Sequence, residues 1–225
     1  MSRITRSMES TLDTRAGRVF MRAHYASATL AALGAMLLAA CTLGTPAAVS
    51  DIRYDLGPAP KTHPSVVPLP AVRMFEVRSP RALDSDAILY RMNYVDPRQT
   101  ASYAHSHWTM APPQLLTQRL RSALAAQGAV LSGDETASAP LLTVELDQFE
   151  QDFDGEDQSH GAVTARATLA RGGKVLAQRT FTARAPARTS SAAGGVGALS
   201  AASDELIAQL IAWLGMQAPL AAQAQ

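Results

Sequence analysis

The chain has 225 residues, with 20 lysines and arginines against 19 aspartates and glutamates, a formal charge of +1 at pH 7. Residues 1–40 alone hold five arginines and two acids, so the remainder stands at −2, which excludes a nucleic-acid partner that needs a basic face. A single cysteine excludes an intramolecular disulfide, and the roughly 185 residues after position 40 suffice for one domain with a sizeable core.

The first element is a leader. Arginines 3, 6, 15, 18 and 22 precede an apolar run from Ala26 to Ala40 that ends at Cys41. A basic region, a short apolar core and small residues at the exit describe a secretory signal peptide. A spanning helix needs roughly 20 apolar residues, more than this run supplies. The last four residues, Leu38-Ala39-Ala40-Cys41, resemble the bacterial lipobox. The thiol accepts a diacylglycerol, and cleavage then frees the Cys41 amino group for a further acyl chain. One chain anchors weakly, while two or three anchor firmly, because each buried methylene adds about 0.8 kcal/mol. Residues 1–40 are therefore expected to be removed. Glu9 and Asp13 interrupt the basic region, and "MRAHYASATLAALGAMLLAAC" is a compact signal by itself. Met21 is accordingly read as the true start.

Residues 41–70 hold six prolines after the cysteine and predict an extended tether, with "IRYDL" at 52–56 as its ordered piece. The domain is expected over 71–217, with 218–225 a flexible tail. "VRMFEV" (72–77) and "AILYRM" (87–92) read as strands, and "YAHSHW" (103–108) as a short one. Pro112-Pro113 then open a helix whose Leu115, Leu116, Leu120, Ala123 and Leu124 share one face, with Gly128 just beyond its end. "LLTVELDQF", "GAVTARATLA" and "KVLAQRTFTA" alternate as three long strands, the last two joined by a tight Gly172-Gly173 turn. A loop containing Gly194, Gly195 and Gly197 should lead into a closing amphipathic helix that stops near Gly215. The predicted fold class is α+β: an antiparallel β-sheet with two main helices packed on one face, in a single domain.

Three stretches invite a chemical reading. "EQDFDGEDQSH" (150–160) has acids in the manner of a calcium loop, yet counting from Asp152 its glycine falls fourth and Val163 twelfth. The calcium motif wants glycine sixth and glutamate twelfth, so a polar hairpin tip is the better reading. His105 and His107 alternate to one side of a strand and could share a metal; with no cysteine or nearby acid to complete a set, no metal site is expected. The glycines before the last helix lack the lysine of a phosphate loop. No nucleophile elbow presents a serine, and no catalytic group or cofactor is expected beyond the acyl chains on Cys41.

The stretch "ILYRMNYVDPRQTASYAHSHWTMAPPQLLTQRLRSAL" (88–124) is more specific. Its Tyr90, Arg91, Tyr103, Trp108, Pro112, Leu115, Leu116 and Leu120 resemble the ABC-type transport auxiliary lipoproteins, the PqiC-like group. The lipobox, the following "RYDL", the three strands and the closing helix keep that family's order. The resemblance implies a non-catalytic lipoprotein subunit working with an MCE-domain protein and its ABC permease and ATPase, in a system that moves lipid between the inner and outer membranes. Thr42 follows Cys41, where aspartate would retain the protein at the inner membrane, so outer-membrane anchoring facing the periplasm is implied. The motif aromatics read either as core or as a partner surface. An exposed helix face or sheet edge could support a homo-oligomer. The rival reading is an envelope scaffold that handles no lipid; an anchored hydrolase finds no motif.

Overall fold

The computed structural model describes residues 50–60, 69–128, 130–131 and 139–217, the backbone alone at 130–131. The leader, Leu38, Ala39, Ala40, Cys41 and the tail at 218–225 lie outside the described residues. Eight strands form one sheet: β1 (Ile52–Tyr54), β2 (Val72–Met74), β3 (Ala87–Met92), β4 (Thr100–Trp108), β5 (Val130–Leu131), β6 (Leu141–Phe153), β7 (Ser159–Arg171) and β8 (Lys174–Pro186). Two helices accompany them, α1 (Pro112–Ala125) and α2 (Ala192–Met216). The α+β class is as expected.

The three 13-residue strands β6, β7 and β8 form an antiparallel meander whose register runs almost unbroken from Phe153↔Ser159 to Arg171↔Lys174. Gly172 and Gly173 close the second hairpin at φ +55° and +80°, the left-handed pair that a two-residue turn needs to match strand twist. β3 and β4 make a further antiparallel pair.

Elsewhere the sheet is parallel, which alternation could not reveal. β2 and β3 both run parallel to β6, β2 beside Leu141–Leu142 and β3 beside Gln151–Phe153. Between them β6 carries a bulge at Leu146/Gln148, and Arg78 bridges to Glu145. Strands joined through a helix can lie parallel because the crossover is long enough to return the chain to the same end. The expected 72–77 strand is thus two contacts: Val72–Met74, then Arg78 after a departure that leaves Phe75 exposed. The expected short strand at 103–108 is nine residues long, Thr100–Trp108.

Two further expectations change. β1 pairs parallel with β4, Tyr54 opposite Trp108, and Leu56 enters the common core. The domain therefore begins near residue 50, and the piece read as an ordered part of a tether is a sheet edge. The glycines at 194, 195 and 197 do not precede the last helix; they lie in its first turns, after Ser191 caps it by accepting from the Gly194 N–H at 3.3 Å. A Cβ at Gly161 would stand 2.5 Å from the Ala198 carbonyl carbon and the Leu199 nitrogen, and one at Gly195 would strike Gln151. Absent side chains let the helix press its backbone onto the sheet.

The core lies between that sheet face and the helices. Val144, Leu146, Val163, Ala165 and Leu169 present one face of the meander, and Leu199, Leu206 and Leu210 of α2 lie in the same buried cluster. Leu116, Leu120 and Leu124 of α1 are fully buried there too. At about 1.5–3 kcal/mol for each buried large side chain, this contact dominates the fold's stability.

Candidate functional site

Two groups of residues distinguish this domain: the motif cluster at the end of β3, and a clamp that fixes the N-terminal edge strand.

In the motif cluster, parallel pairing sets Tyr90 beside Gln151 and Arg91 beside Asp152, so the two motif residues project to opposite faces. On the helix face the Tyr90 and Tyr103 rings meet at 4.9 Å, and Tyr90 meets Phe153 edge-on at 6.0 Å. The Tyr103 hydroxyl donates to Gln151 Oε1 at 2.8 Å, and the Gln151 amide donates to Ser159 Oγ at 2.8 Å. Burial, with a smaller contribution from Tyr90, pushes the Tyr103 phenol up to about 12. On the opposite face Arg91 grips Glu150 with Nε and Nη2, both at 3.0 Å, and its Nη1 donates to the Pro97 carbonyl at 2.8 Å. Glu150 and Asp152 are buried although they lie on the face away from the helices. Desolvation first, then the Glu150 charge, raises the Asp152 carboxyl above its ordinary 3.8, against the pull of His160, Arg91 and Arg184.

The remaining motif residues belong to the interior. Trp108 is fully buried, edge-on to Phe149 at 5.6 Å. Pro112, Leu115, Leu116 and Leu120 form the buried side of α1. The motif therefore specifies packing and a braced β3–β4 turn.

The clamp escaped the sequence reading. Arg119, 8% exposed, donates from Nε and Nη2 to Asp204 of α2 at 2.8 and 2.9 Å, and from Nη1 to the Gly57 carbonyl at 2.6 Å. Ser200 of α2 donates to the Leu56 carbonyl, Thr109 N–H to the Tyr54 carbonyl, and Arg53 to Asp86 and the Trp108 carbonyl. One guanidinium thus joins both helices to the edge of the chain's lead. Beside it lies an apolar groove of about 240 Å³ between α1 and α2, lined by Ala123, Ile207 and Ile211. A signal was present: Arg119 falls four residues after Leu115 and four before Ala123, within the apolar stripe, where a charge needs a partner.

Neither candidate ion site assembles. His105 faces Asp51 at 3.6 Å and His107 faces Asp86 at 3.9 Å, so each histidine has its own carboxylate. In the acidic stretch, residues 154–158 form the turn between β6 and β7, closed by Asp154 N–H to the Gln158 carbonyl at 2.9 Å. Asp154 and Asp152 lie against opposite nitrogens of His160, at 2.8 and 3.8 Å. Among the described residues no three such side chains converge as a metal site would require.

The described residues thus form an α+β domain in which the chain just after the edge strand, at Leu56 and Gly57, is tied to both helices. The sequence matches the model of the ABC-type transport auxiliary lipoprotein component over residues 54–211, and the chain belongs to that family. Protein XCC0632 from Xanthomonas campestris shares the fold at 20% identity and TM-score 0.66, covering 76% of this chain and 99% of its own. An uncharacterised protein of known structure shares it at 16% identity and TM-score 0.59, with 73% and 99% covered. No curated protein gives a significant match. The family is one of membrane-anchored lipoproteins serving ABC-type transport, and among the described residues no helix is long and apolar enough to cross a membrane.

Proposed function

We propose that this chain is the non-catalytic, lipid-anchored subunit of an MCE-type ABC lipid-transport system, holding its domain in the periplasm between the inner and outer membranes. The leader at 1–40 directs export, and Cys41, acylated by diacylglycerol and an N-acyl chain, inserts in the outer membrane. The domain then docks beside the MCE protein and the permease–ATPase complex. The observation that carries this reading is the family match, which runs from Tyr54, at the end of the edge strand, through the motif cluster and most of α2. The clamp supports it by fixing Leu56 and Gly57, near the start of the described domain, to both helices.

Crosslinking in intact cells, purification through a C-terminal tag and mass spectrometry of the partners test the proposal. Recovery of an MCE-domain protein with its permease is the expected result. Recovery of only peptidoglycan-linked or porin-type proteins would replace transport with an envelope scaffold. Separately, Cys41→Ala should abolish membrane retention; unchanged processing and attachment would refute acylation at this residue.

A further inference from the structure

We propose that the β3–β4 turn, residues 93–99, rests on the lipid surface that holds the anchor, with Tyr94 and Val95 at its polar boundary. The proposal rests on the reading of Cys41 as the acylated residue.

Strand polarity and chain length point there. β1 runs parallel to β4, Ile52 opposite Ser106, so the chain enters from the end of the sheet that bears this turn. Asp51 is already held beside His105, and the clamp fixes Leu56 and Gly57. The domain's stand-off is therefore set by the nine residues from Cys41 to Ser50, which reach at most about 30 Å. Thr100, where the turn ends, lies six residues before Ser106 along β4, a distance of about 20 Å. The turn apex is thus within reach of the membrane, in the direction from which the lead arrives.

The apex has the chemistry for that boundary. Tyr94 is 45% and Val95 61% exposed, while the charges of the turn are already satisfied. Asp96 accepts both from Nε and Nη2 of Arg98, and Arg91 holds the Pro97 carbonyl. Val95 N–H donates to the Met92 carbonyl and Gln99 N–H to that of Asp96. Little conformational freedom is left to lose on contact, and an aromatic with a polar tip suits the headgroup level. The neighbouring β6–β7 turn is joined through Asn93 N–H to the Phe153 carbonyl and brings exposed Glu156 and Asp157. That acidic flank selects a zwitterionic lipid surface over an anionic one.

Val175 supplies an internal control, because it is equally apolar and 57% exposed but sits at the opposite end of the meander, beside Gly172-Gly173. With the native cysteine acylated and no other in the sequence, Val95→Cys and Val175→Cys can each be labelled singly with an environment-sensitive fluorophore. Full-length lipidated protein is reconstituted into phosphatidylethanolamine–phosphatidylcholine vesicles, with and without brominated acyl chains. The label at 95 should shift to the blue and lose about half of its emission to bromine, as for a group seated at the headgroup–acyl boundary, while the label at 175 stays unquenched. Phosphatidylglycerol should weaken the quenching at 95. Equal exposure of both labels on protein that floats with the vesicles overturns the proposal and leaves acylation standing. Protein that fails to float, or whose Cys41 takes the label, overturns the acylation reading and the proposal with it.

Discussion

Replacing Gly161 by alanine should lift α2 from the sheet. The added carbon would stand 2.5 Å from the Ala198 carbonyl carbon and the Leu199 nitrogen and 2.8 Å from the Ala198 oxygen. These are backbone atoms in a helix and cannot rotate away. Carbon needs about 3.5 Å, so α2 must retreat by about 1 Å, loosening Leu199 and Val163 in the core. Overpacking of this sort costs about 1–3 kcal/mol, a fall in Tm of about 2–12 °C for a domain this size. Gly197→Ala, two residues before Leu199 on the same helix, is the matched control. Its Cβ would meet nothing within 4 Å, and alanine in a helix interior should gain about 0.5–1 kcal/mol over glycine. Far-UV circular dichroism melts of the two variants should therefore move in opposite directions. A Gly161→Ala melt coinciding with the parent would refute the close approach of helix and sheet.

Three further outcomes follow from the site. Arg119→Met removes a charged fork from Asp204 and a bond to the lead; it should cost about 1.5–3 kcal/mol and speed proteolysis at 50–60, and an unchanged cleavage pattern would count against the clamp. Tyr103 should form tyrosinate only near 12; its stabilising contribution is complete below 10.0 and is lost as pH rises through about 12, and Tyr103→Phe should delete that late absorbance step. Burial raises the Asp152 carboxyl, so the folded state holds its proton more tightly than the unfolded chain does, a contribution complete below 3.8 and lost as pH rises through the raised value. Asp152→Asn should accordingly raise Tm at neutral pH, with the gain shrinking as pH falls through that value and absent below 3.8; a gain that grows on acidification would contradict it.

Period and punctuation were enough to read the meander, α1 and the tight turn at Gly172. A half-buried strand repeats every two residues and a surface helix every 3.6, and apart from the register shifts at Leu146/Gln148 and Leu169/Ala170 these elements follow those rules. The same rules failed where contact with a distant segment overrides local preference. The glycine-rich start of α2 reads as a loop because glycine is a poor helix former. It is helical because Gly194 and Gly195 fit against Thr189 and Gln151, where a side chain would collide. Arg119 sits within the apolar stripe of α1, but its partners Asp204 and Gly57 come from 85 and 62 positions away, so no local pattern names them. Trp108 could be read as core or as surface, and only its burial against Phe149 decided between them.

The sequence by itself determined the family, the α+β class and the expectation of a lipid-anchored chain, since these rest on order, spacing and residue type. Tertiary structure decided which strands run parallel, how the acids of 150–160 divide between a buried strand and an exposed turn, and where the tether ends. Those outcomes depend on pairings between residues dozens of positions apart. Such pairings are fixed by which buried faces and polar groups can satisfy one another once the whole chain has collapsed, and no local pattern records them.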